Sequence, residues 1–361
     1  MYTSGSTGHP KGVVMTHRGA ISTLMSWHFG LRVLDVMGLG PVPYVDKNNQ
    51  PYQPCQLVSV PFFHVSGTHG GLLLALWSGT KLVIMKKWDP PEAVRLIELE
   101  KVSRFGGVPT MAAEILGEAK KVGAKLESIR LIDTGGAARP ADQAREMAES
   151  IPNVLTGTSY GMTETNALGI AIRGKEYLEN PEVTGRLIAP LAEMRIVDEF
   201  DNDVEIGNVG ELVLKSAANM RCYLNKDAET SEVLKDGWLY TGDLAKIDKN
   251  ELITLVDRKK NIIIRGGENI SAQEVQTVIL EHPDVIEAAI FALPNERLGE
   301  IVGACVFCGE TSNADEDSLK EFLRKSLAAY KIPEHIWFKK KPLPRVASEK
   351  IDVEALKKEY S

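Results

Sequence analysis

The first half of the sequence alternates between strand-like and helix-like runs, and this alternation restricts the fold more than any other feature. Between short apolar runs lie longer runs with apolar residues at helical spacing, of which PPEAVRLIELEKV at 90–102 is the clearest, with proline in its first turn. Such alternation predicts an α/β fold with a parallel or mixed sheet. The predicted strands are LVSVPFF at 57–63, TKLVIM at 80–85, SRFGGVP at 103–109, SIRLIDTGG at 128–136 and NVLTGTSYG at 153–161.

The pattern changes twice further along the chain. From residue 184 onward, short strands separated by turn signals, such as GELVLKS, predict a small antiparallel barrel or sheet. From residue 258 onward, strands alternate with helices again and predict a compact α+β domain. The sequence therefore predicts three regions, with boundaries at 1–183, 184–257 and 258–361.

Composition excludes several classes of protein. The chain has 42 Lys and Arg against 49 Asp and Glu, a formal net charge of −7, which argues against nucleic acid as a partner. No apolar stretch reaches the roughly 20 residues of a membrane span. Cys305 and Cys308 lie in an apolar, strand-like run, so we interpret them as small buried side chains rather than zinc ligands. With no signal-sequence pattern at the start, we expect a cytoplasmic protein.

The opening segment MYTSGSTGHPKGVV combines three glycines, four Ser and Thr side chains and one lysine. Backbone N–H groups in such a turn form a nest for anions, so the segment predicts a polyphosphate site. It is not the usual P-loop pattern, because Pro10 precedes the lysine where glycine is required. A flexible linker is the alternative, although the apolar residues that follow favour an ordered loop. The predicted phosphate contacts are Thr3, Ser4, Gly5, Ser6, Thr7, Gly8 and Lys11.

A second segment, GTSYGMTET, follows a predicted strand. Strands of α/β proteins commonly present ligand-binding residues at their carboxyl ends. Tyr160 can lay its ring on a purine, Thr163 can donate its hydroxyl to phosphate, and Glu164 offers the carboxylate oxygen that Mg²⁺ prefers. An ordinary turn with a solvated glutamate is the alternative.

Three further segments supply candidate residues. In DTGGAARP, Gly135 and Gly136 allow the backbone to approach adenine closely. Asp243, in LYTGDL, is a carboxylate that can accept both hydroxyls of a ribose, and Arg258 follows one hairpin later. His64, in PFFHVSG, is expected at a strand end, where a packed ring is the alternative to a functional one.

These segments together resemble the adenylate-forming superfamily, which includes acyl-CoA synthetases, luciferases and the adenylation domains of peptide synthetases. Residues 2–13 match its pattern Y-T-S-G-[ST]-T-G-x-P-K-G-V throughout. GGENISAQEV is similar to G-G-E-N-I-x-P-x-E-V, with Ala272 for proline, and PLPRVASEKID to P-R-x-x-[ST]-G-K-[IV], with Glu349 for glycine. The resemblance implies a large domain of α/β sheets plus a small β-barrel, followed by a small mobile α+β domain.

The resemblance also implies a reaction and its residues. A carboxylic acid would attack ATP to give acyl-AMP and pyrophosphate, with Mg²⁺ as cofactor, and CoA would then accept the acyl group and release AMP. The implied catalytic residues are Lys350, Thr163, Glu164, Arg258 and His64. The implied nucleotide contacts are Gly135, Gly136, Ala137, Tyr160, Gly161, Asp243 and Arg258. Gly266 and Gly267 would line the CoA tunnel, and Lys260 would be the hinge of the small domain. Some members have a catalytic lysine where this chain has Ile264.

Members of the superfamily carry a large segment ahead of the glycine-rich loop. We therefore expect the front of the large domain to be absent, which would expose an apolar face and a strand edge. The expected result is poor solubility, an oligomer, or a partner that covers this face.

The residues around the predicted acyl pocket, at 64–71, 135–138 and 165–170, are mostly small or apolar, which favours a fatty or other apolar acid. Two other functions are compatible with the same residues: a fragment that binds nucleotide without turnover, and an adenylation module for a carrier protein. We favour the CoA ligase because the GGENI segment is typical of enzymes that use CoA.

Overall fold

The computed structural model describes residues 1–3, 10–135, 141–309, 312, 314–346 and 350–360. The chain divides into two compact units. The larger unit comprises Met1–Asn208, Leu212–Thr241 and Ile247–Thr254, and the smaller unit comprises Val209–Glu211, Gly242–Lys246 and Leu255–Ser361. The division into three regions predicted from the sequence stays a prediction.

A seven-stranded mixed sheet forms the centre of the larger unit. Its order across the sheet is Lys81–Ile84, Cys55–Val58, Arg104–Gly107, Leu131–Gly135, Leu155–Tyr160, Ile170–Arg173 and Arg186–Leu187. The first five strands in this order pair in parallel and the last two pair antiparallel. The predicted α/β fold is therefore confirmed.

Helices connect these strands, and local sequence signals fix their ends. Asp89 caps the Pro90–Glu100 helix by accepting a hydrogen bond from the Glu92 N–H at 2.9 Å, and Lys101 ends it in the left-handed conformation. Thr16 caps the long first helix in the same way. The α-helices of the larger unit are His17–Val36, Leu74–Ser78, Pro90–Glu100, Pro109–Val122, Ala141–Ser150, Gly174–Glu179 and Asp227–Val233.

The predicted strand LVSVPFF is wrong in its second half. The strand ends at Val58, and the chain then turns, with the His64 N–H bonded to the Pro61 carbonyl at 3.0 Å. Proline has no N–H to donate to a neighbouring strand, so the pairing cannot continue through this position. His64 therefore lies after a turn, not at a strand end.

The core of the larger unit lies between this sheet and two of its helices. Leu57 and Phe105 from the strands pack with Ile97 and Ile115 from the Pro90–Glu100 and Pro109–Val122 helices, and all four side chains are at most 2% exposed. The helix periodicity seen in the sequence therefore marks the faces that pack on the sheet.

Two other sheets contain shorter strands. A five-stranded sheet has the order Ala192–Val197, Gly210–Ser216, Trp238–Ile247 and Leu234–Lys235, with Ile253–Arg258 also paired to Trp238–Ile247. A three-stranded sheet has the order Tyr2–Thr3, Lys11–Val14 and Cys222–Tyr223.

The smaller unit is built on its own sheet. The strand order is Glu268–Ser271, Ile262–Arg265, Gly299–Cys308 and Val285–Asn295, and His335–Lys339 pairs in parallel with Gly299–Cys308. The α-helices of this unit are Ala272–Leu280, Glu316–Leu323 and Val353–Tyr360. Cys305 and Cys308 lie on the Gly299–Cys308 strand as unpaired thiols, and burial raises the pKa of Cys305 to about 11. The interpretation of Cys305 as a buried apolar side chain is confirmed.

No helix within the described parts of the chain has both the length and the apolar character needed to cross a membrane.

Gly157 shows how tightly the central sheet is packed. A Cβ at this position would lie 2.5 Å from Asp133 Oδ1 and 2.6 Å from Arg173 Cγ. These two side chains form a bidentate ion pair, with Nε–Oδ1 and Nη2–Oδ2 distances of 2.9 Å. We expect Gly157→Ala to lower the free energy of unfolding by about 1–3 kcal/mol, because the pair must move to admit a methyl group. Urea denaturation measures this change.

Gly117 provides the matched control. It is exposed on the Pro109–Val122 helix, and a Cβ there would meet nothing within 4 Å. Gly117→Ala should raise the free energy of unfolding by up to about 1 kcal/mol, since alanine favours the helix. Equal stabilities of the two variants would contradict the packing argument.

Candidate active site

The predicted phosphate loop has a fixed base. Tyr2–Thr3 pairs antiparallel with Lys11–Val14, with Tyr2 opposite Gly12 and Thr3 opposite Lys11, so the two ends of the loop lie side by side. The loop residues between these strands, Ser4, Gly5, Ser6, Thr7 and Gly8, lie outside the described residues.

The other edge of the Lys11–Val14 strand pairs with Cys222–Tyr223, again antiparallel. The Leu224 N–H donates to the Gly12 carbonyl at 2.7 Å, which extends this pairing. Through it, Tyr223 lies beside the base of the loop, and the Lys11 ammonium lies 4.9 Å from the centre of the Tyr223 ring.

Glu164 lies on the far side of the same tyrosine. It belongs to a short 3₁₀ turn, Thr163–Thr165, that follows the Leu155–Tyr160 strand, and both Thr163 and Glu164 are buried. The Tyr223 hydroxyl donates to Glu164 Oε1 at 2.8 Å. Burial and the charge of Glu164 raise the pKa of Tyr223, so the hydroxyl keeps its proton. The structure thus brings the predicted residues Lys11 and Glu164 together around a residue that was not predicted, and Thr163 precedes Glu164 in the same turn.

The described residues include no group of three His, Cys, Asp or Glu side chains arranged to hold a metal ion. Mg²⁺ does not require one, because it is commonly bound by one or two carboxylates and completed by water and substrate phosphates. A single buried carboxylate next to the base of a phosphate loop fits that mode of binding, and Glu164 is that carboxylate.

The residues predicted to contact adenine also have a packing role. A Cβ at Gly135 would lie 2.7 Å from the Ser159 carbonyl oxygen, and one at Gly161 would lie 2.4 Å from the Ala167 carbonyl oxygen. Glycine is therefore required at both positions by the backbone of the larger unit, whatever ligand binds. Tyr160 is half-buried at the end of its strand, and Gly136 and Ala137 lie outside the described residues.

Most of the first segment predicted to line the acyl pocket, 64–71, belongs to a π-helix, Ser66–Leu73. Such helices are rare and often occur at functional sites. His64 precedes it, with Nδ1 3.0 Å from the Ser66 hydroxyl. A Cβ at Gly67 would lie 2.3 Å from the Pro61 carbonyl, whereas one at Gly70 would meet nothing within 4 Å. The missing side chain of Gly67 therefore makes room for backbone and not for a substrate, whereas Gly70 faces open space.

His69, which was not predicted, joins two of the three segments assigned to the acyl pocket. It is buried, and its Nε2 lies 3.0 Å from Asn166 Oδ1. The Asn166 side-chain N–H in turn donates to the Ala218 carbonyl at 2.6 Å. A polar side chain inside the apolar run THGGLLLAL was the available signal. Burial lowers the pKa of His69, and its Nδ1 has no hydrogen-bond partner among the described residues.

A second cluster of predicted residues lies within the smaller unit. Asp243 is buried and forms an ion pair with Arg258, with an Nε–Oδ1 distance of 2.9 Å. The pKa of Lys350 is lowered by burial and by the charge of Arg258, while Asp243 acts in the opposite direction. The three residues are therefore close enough to interact electrostatically, although they are widely separated in the sequence.

The segment that carries Lys350 is anchored to its own unit. The Val346 N–H donates to the Lys350 carbonyl at 2.9 Å, and Arg345 forms an ion pair with the buried Glu287. Glu287 also accepts from the Leu343 N–H at 2.6 Å. Glu349, where the resemblance has glycine, lies outside the described residues.

Asp257, directly before Arg258, was also missed. It is buried, and its Oδ2 accepts from the Ser271 hydroxyl at 2.7 Å and from the Gln273 N–H at 2.9 Å. The predicted hinge residue, Lys260, lies in an exposed 3₁₀ turn, Lys259–Asn261.

Gly266 and Gly267 form the turn between the Ile262–Arg265 and Glu268–Ser271 strands. Their φ angles are +60° and +93°, which glycine adopts without strain.

Residues 1–224 match the profile of the AMP-binding enzyme family, and residues 274–350 match the profile of the AMP-binding enzyme C-terminal domain. The chain belongs to the AMP-binding enzyme family. The resemblance to adenylate-forming enzymes is thereby confirmed.

The family members most useful for comparison are CoA ligases. A feruloyl-CoA synthase from Amycolatopsis sp is 32% identical over 97% of this chain and 67% of that protein. A long-chain-fatty-acid–CoA ligase from Bacillus subtilis (strain 168) is 29% identical over 97% of this chain and 59% of that protein. A solved O-succinylbenzoate coenzyme A synthetase from Bacillus subtilis, in complex with ATP and magnesium ion, gives a TM-score of 0.81 at 29% identity over 99% of this chain and 69% of that one. The chain thus spans 59% to 69% of the length of these proteins.

The burial of His69 gives a pH dependence to the stability of the larger unit. Because the pKa of His69 is lowered in the folded state, the unfolded chain binds a proton at a pH where the folded chain does not. This contribution to stability is complete above the ordinary pKa of about 6.5 and is lost as the pH falls below it. We expect the urea concentration at the midpoint of unfolding to decrease as the pH is lowered from about 7.5 to about 5.5. The decrease should be smaller for His69→Asn.

The exposed His28 is the control, and His28→Asn should keep the dependence of the parent chain. Identical pH profiles for His69→Asn and the parent chain would show that His69 does not cause the effect.

Proposed function

We propose that the chain is an AMP-forming acid–CoA ligase, which activates a carboxylic acid with ATP and transfers the acyl group to CoA. The observation that carries this proposal is the cluster of Asp243, Arg258 and Lys350 within the smaller unit, which brings the predicted ribose-binding pair close to the predicted catalytic lysine. The names of the relatives support the same reaction, since they are ligases that form CoA thioesters.

The first half of the reaction is a problem of charge. A carboxylate must approach the α-phosphate of ATP, and both groups are negative. Fixed donors and cations are the general solution in phosphoryl and nucleotidyl chemistry. In this proposal, Lys11 and the adjoining loop hold the departing phosphates, and Glu164 holds Mg²⁺, which neutralises part of their charge.

Lys350 would position the two reacting groups. Burial, together with the charge of Arg258, lowers its pKa, and Asp243 acts in the opposite direction. A carboxylate and a phosphate beside it would favour its charged form. The lysine then binds both anions and holds them in a geometry that allows attack.

Asp243 and Arg258 would bind the ribose. Arg258 holds the Asp243 carboxylate by Oδ1, which fixes the orientation of the group proposed to accept the ribose hydroxyls. We further propose that Lys260 is the hinge about which the C-terminal domain turns between the two half-reactions, and that the Gly266–Gly267 turn contacts CoA.

For the acid, we propose an apolar substrate such as a fatty or aryl acid. The open space at Gly70 and the half-buried His64 beside the π-helix support this choice. We also propose a cytoplasmic location, which the four unpaired cysteines support.

The test of the proposed function is AMP release measured over a panel of carboxylic acids, with and without CoA. The assay compares two proteins. One is the 361-residue chain. The other is a fusion in which this chain follows the N-terminal segment of the Amycolatopsis feruloyl-CoA synthase, the part of that relative that the 361 residues do not span. We expect acid-dependent AMP release that is fastest with apolar acids and increases with CoA. Nucleotide binding without acid-dependent release in either form would contradict the ligase and support a nucleotide-binding fragment.

Lys350→Ala tests the proposed catalytic role of this lysine. It should slow acyl-AMP formation by about 10²–10³-fold and affect thioester formation from supplied acyl-AMP much less, since only the first step needs a cation between the two anions. The exposed Lys340→Ala is the control and should resemble the parent. Equal losses in both steps for Lys350→Ala would refute the assigned role.

An apolar surface on the first helix supports a further part of the proposal, a polypeptide partner. Ile21, Met25, Phe29 and Val33 recur every four residues on the His17–Val36 helix and are 37–51% exposed. Residues with this spacing share one face of a helix. Exposed apolar surfaces of this kind usually mark an interface. We propose that the occupant is the folded segment that the relatives possess and these 361 residues do not span.

The partner proposal predicts a complex formed in trans. Mixed with the separately produced N-terminal segment of the Amycolatopsis relative, the chain should form a stable one-to-one complex by size-exclusion chromatography with light scattering. Phe29→Glu should abolish the complex, because the new charge would be buried, whereas the exposed Phe200→Glu should not. A homodimer of the chain that Phe29→Glu disrupts would overturn this choice of partner and identify a second copy as the occupant.

A further inference from the structure

Tyr223 has no role in the reaction as described so far, yet it contacts both groups proposed to handle the phosphates. It belongs to the Cys222–Tyr223 strand and is 6% exposed. Its backbone is fixed on two sides: it lies opposite Val13 in the pairing with the Lys11–Val14 strand, and its N–H donates to the Thr230 hydroxyl at 3.0 Å. The position of its ring is therefore set by the frame of the loop.

The hydroxyl of Tyr223 restrains Glu164. It donates to Oε1 at 2.8 Å, and no other donor among the described residues is hydrogen-bonded to this carboxylate. A carboxylate with 4% exposure and one hydrogen bond can rotate little without losing that bond. The Glu164 backbone is held close by, since its carbonyl accepts from the Met220 N–H at 2.6 Å, three residues before the tyrosine.

The ring of Tyr223 restrains Lys11. The ammonium lies 4.9 Å from the ring centre, within the range of a cation–π interaction. Lys11 also begins the strand that pairs with Cys222–Tyr223, so the same neighbouring strand positions both its backbone and its side chain. One side chain thus sets the relative positions of a cation and a carboxylate whose sequence positions are far apart.

We infer that Tyr223 is a positioning residue that links the binding of Mg²⁺ at Glu164 to the binding of the ATP phosphates at Lys11. This inference rests on the proposed function. Because Lys11 and Glu164 are both restrained by Tyr223, binding of a ligand at one of them leaves the other already ordered. The quantity that Tyr223 controls is then the factor by which Mg²⁺ strengthens nucleotide binding, rather than the affinity of either site alone.

The experiment measures that factor directly. The affinity for α,β-methylene-ATP, which cannot form acyl-AMP, is determined by calorimetry with and without Mg²⁺. Tyr223→Phe keeps the ring over Lys11 and removes the hydroxyl, so the Mg²⁺ enhancement should fall about tenfold, as is typical when a group that orients a metal ligand is removed. Affinity without Mg²⁺ should change little.

Glu164→Gln should lose the enhancement as well, and the double variant should lose no more than Glu164→Gln alone, because the hydroxyl acts only through that carboxylate. Tyr177→Phe, which alters another buried tyrosine of the larger unit, is the control and should keep the full enhancement. An unchanged enhancement in Tyr223→Phe, or additive losses in the double variant, would overturn the inference.

Two outcomes separate this inference from the proposed function. If the parent chain binds the analogue with Mg²⁺ enhancement and Tyr223→Phe retains it, only the role of Tyr223 is refuted. If the parent chain does not bind the analogue at all, the proposed function and the inference fail together. Should Tyr223→Phe lose its cooperative melting transition, the test becomes the coupling between Lys11→Met and Glu164→Gln, and additive effects of these two substitutions would overturn the linkage.

Discussion

The Lys11–Val14 strand is the constraint on which the rest of the candidate site depends. It pairs with Tyr2–Thr3 on one edge and with Cys222–Tyr223 on the other, so segments more than 200 residues apart are held in one small sheet. Pairing of this kind fixes positions along the strands as well as across them. The phosphate loop, the proposed metal ligand and the tyrosine between them therefore share one frame of backbone hydrogen bonds.

Much of the fold was predictable because its signals are local. The helix predicted at 90–102 spans Pro90–Glu100, and Asp89 with Pro90 and Pro91 marks its start within the sequence itself. Asp243 and Arg258 were candidates because of their chemistry one hairpin apart, and Lys350 because of the resemblance. The proximity of Lys350 to the other two was implied only by the resemblance, since no local pattern relates positions this far apart.

The residues that the sequence did not reveal act over long distances. Tyr223 matters because of a partner 59 positions away, and His69 because of one 97 positions away. Gly67 and Gly157 are likewise required by atoms of other parts of the chain, because a Cβ would lie 2.3 Å from the Pro61 carbonyl oxygen at the first and 2.5 Å from Asp133 Oδ1 at the second. The prediction of a strand through Pro61 was wrong for a different reason. The sequence remains apolar beyond Val58, where the strand ends, but proline has no N–H with which to continue the backbone hydrogen bonds.

Asp257 has a consequence for any rotation of the backbone near Lys260. Its carboxylate lies before the Lys259–Asn261 turn, and the Ser271 hydroxyl and Gln273 N–H that it binds lie after it. A rotation within the turn would separate these groups and leave the Oδ2 atom of the buried Asp257 without its two donors, at a cost of about 1.5–3 kcal/mol for each bond. The hydrogen bonds of Asp257 therefore stabilise the turn in the conformation described here, and their strength contributes to the free-energy cost of rotating it.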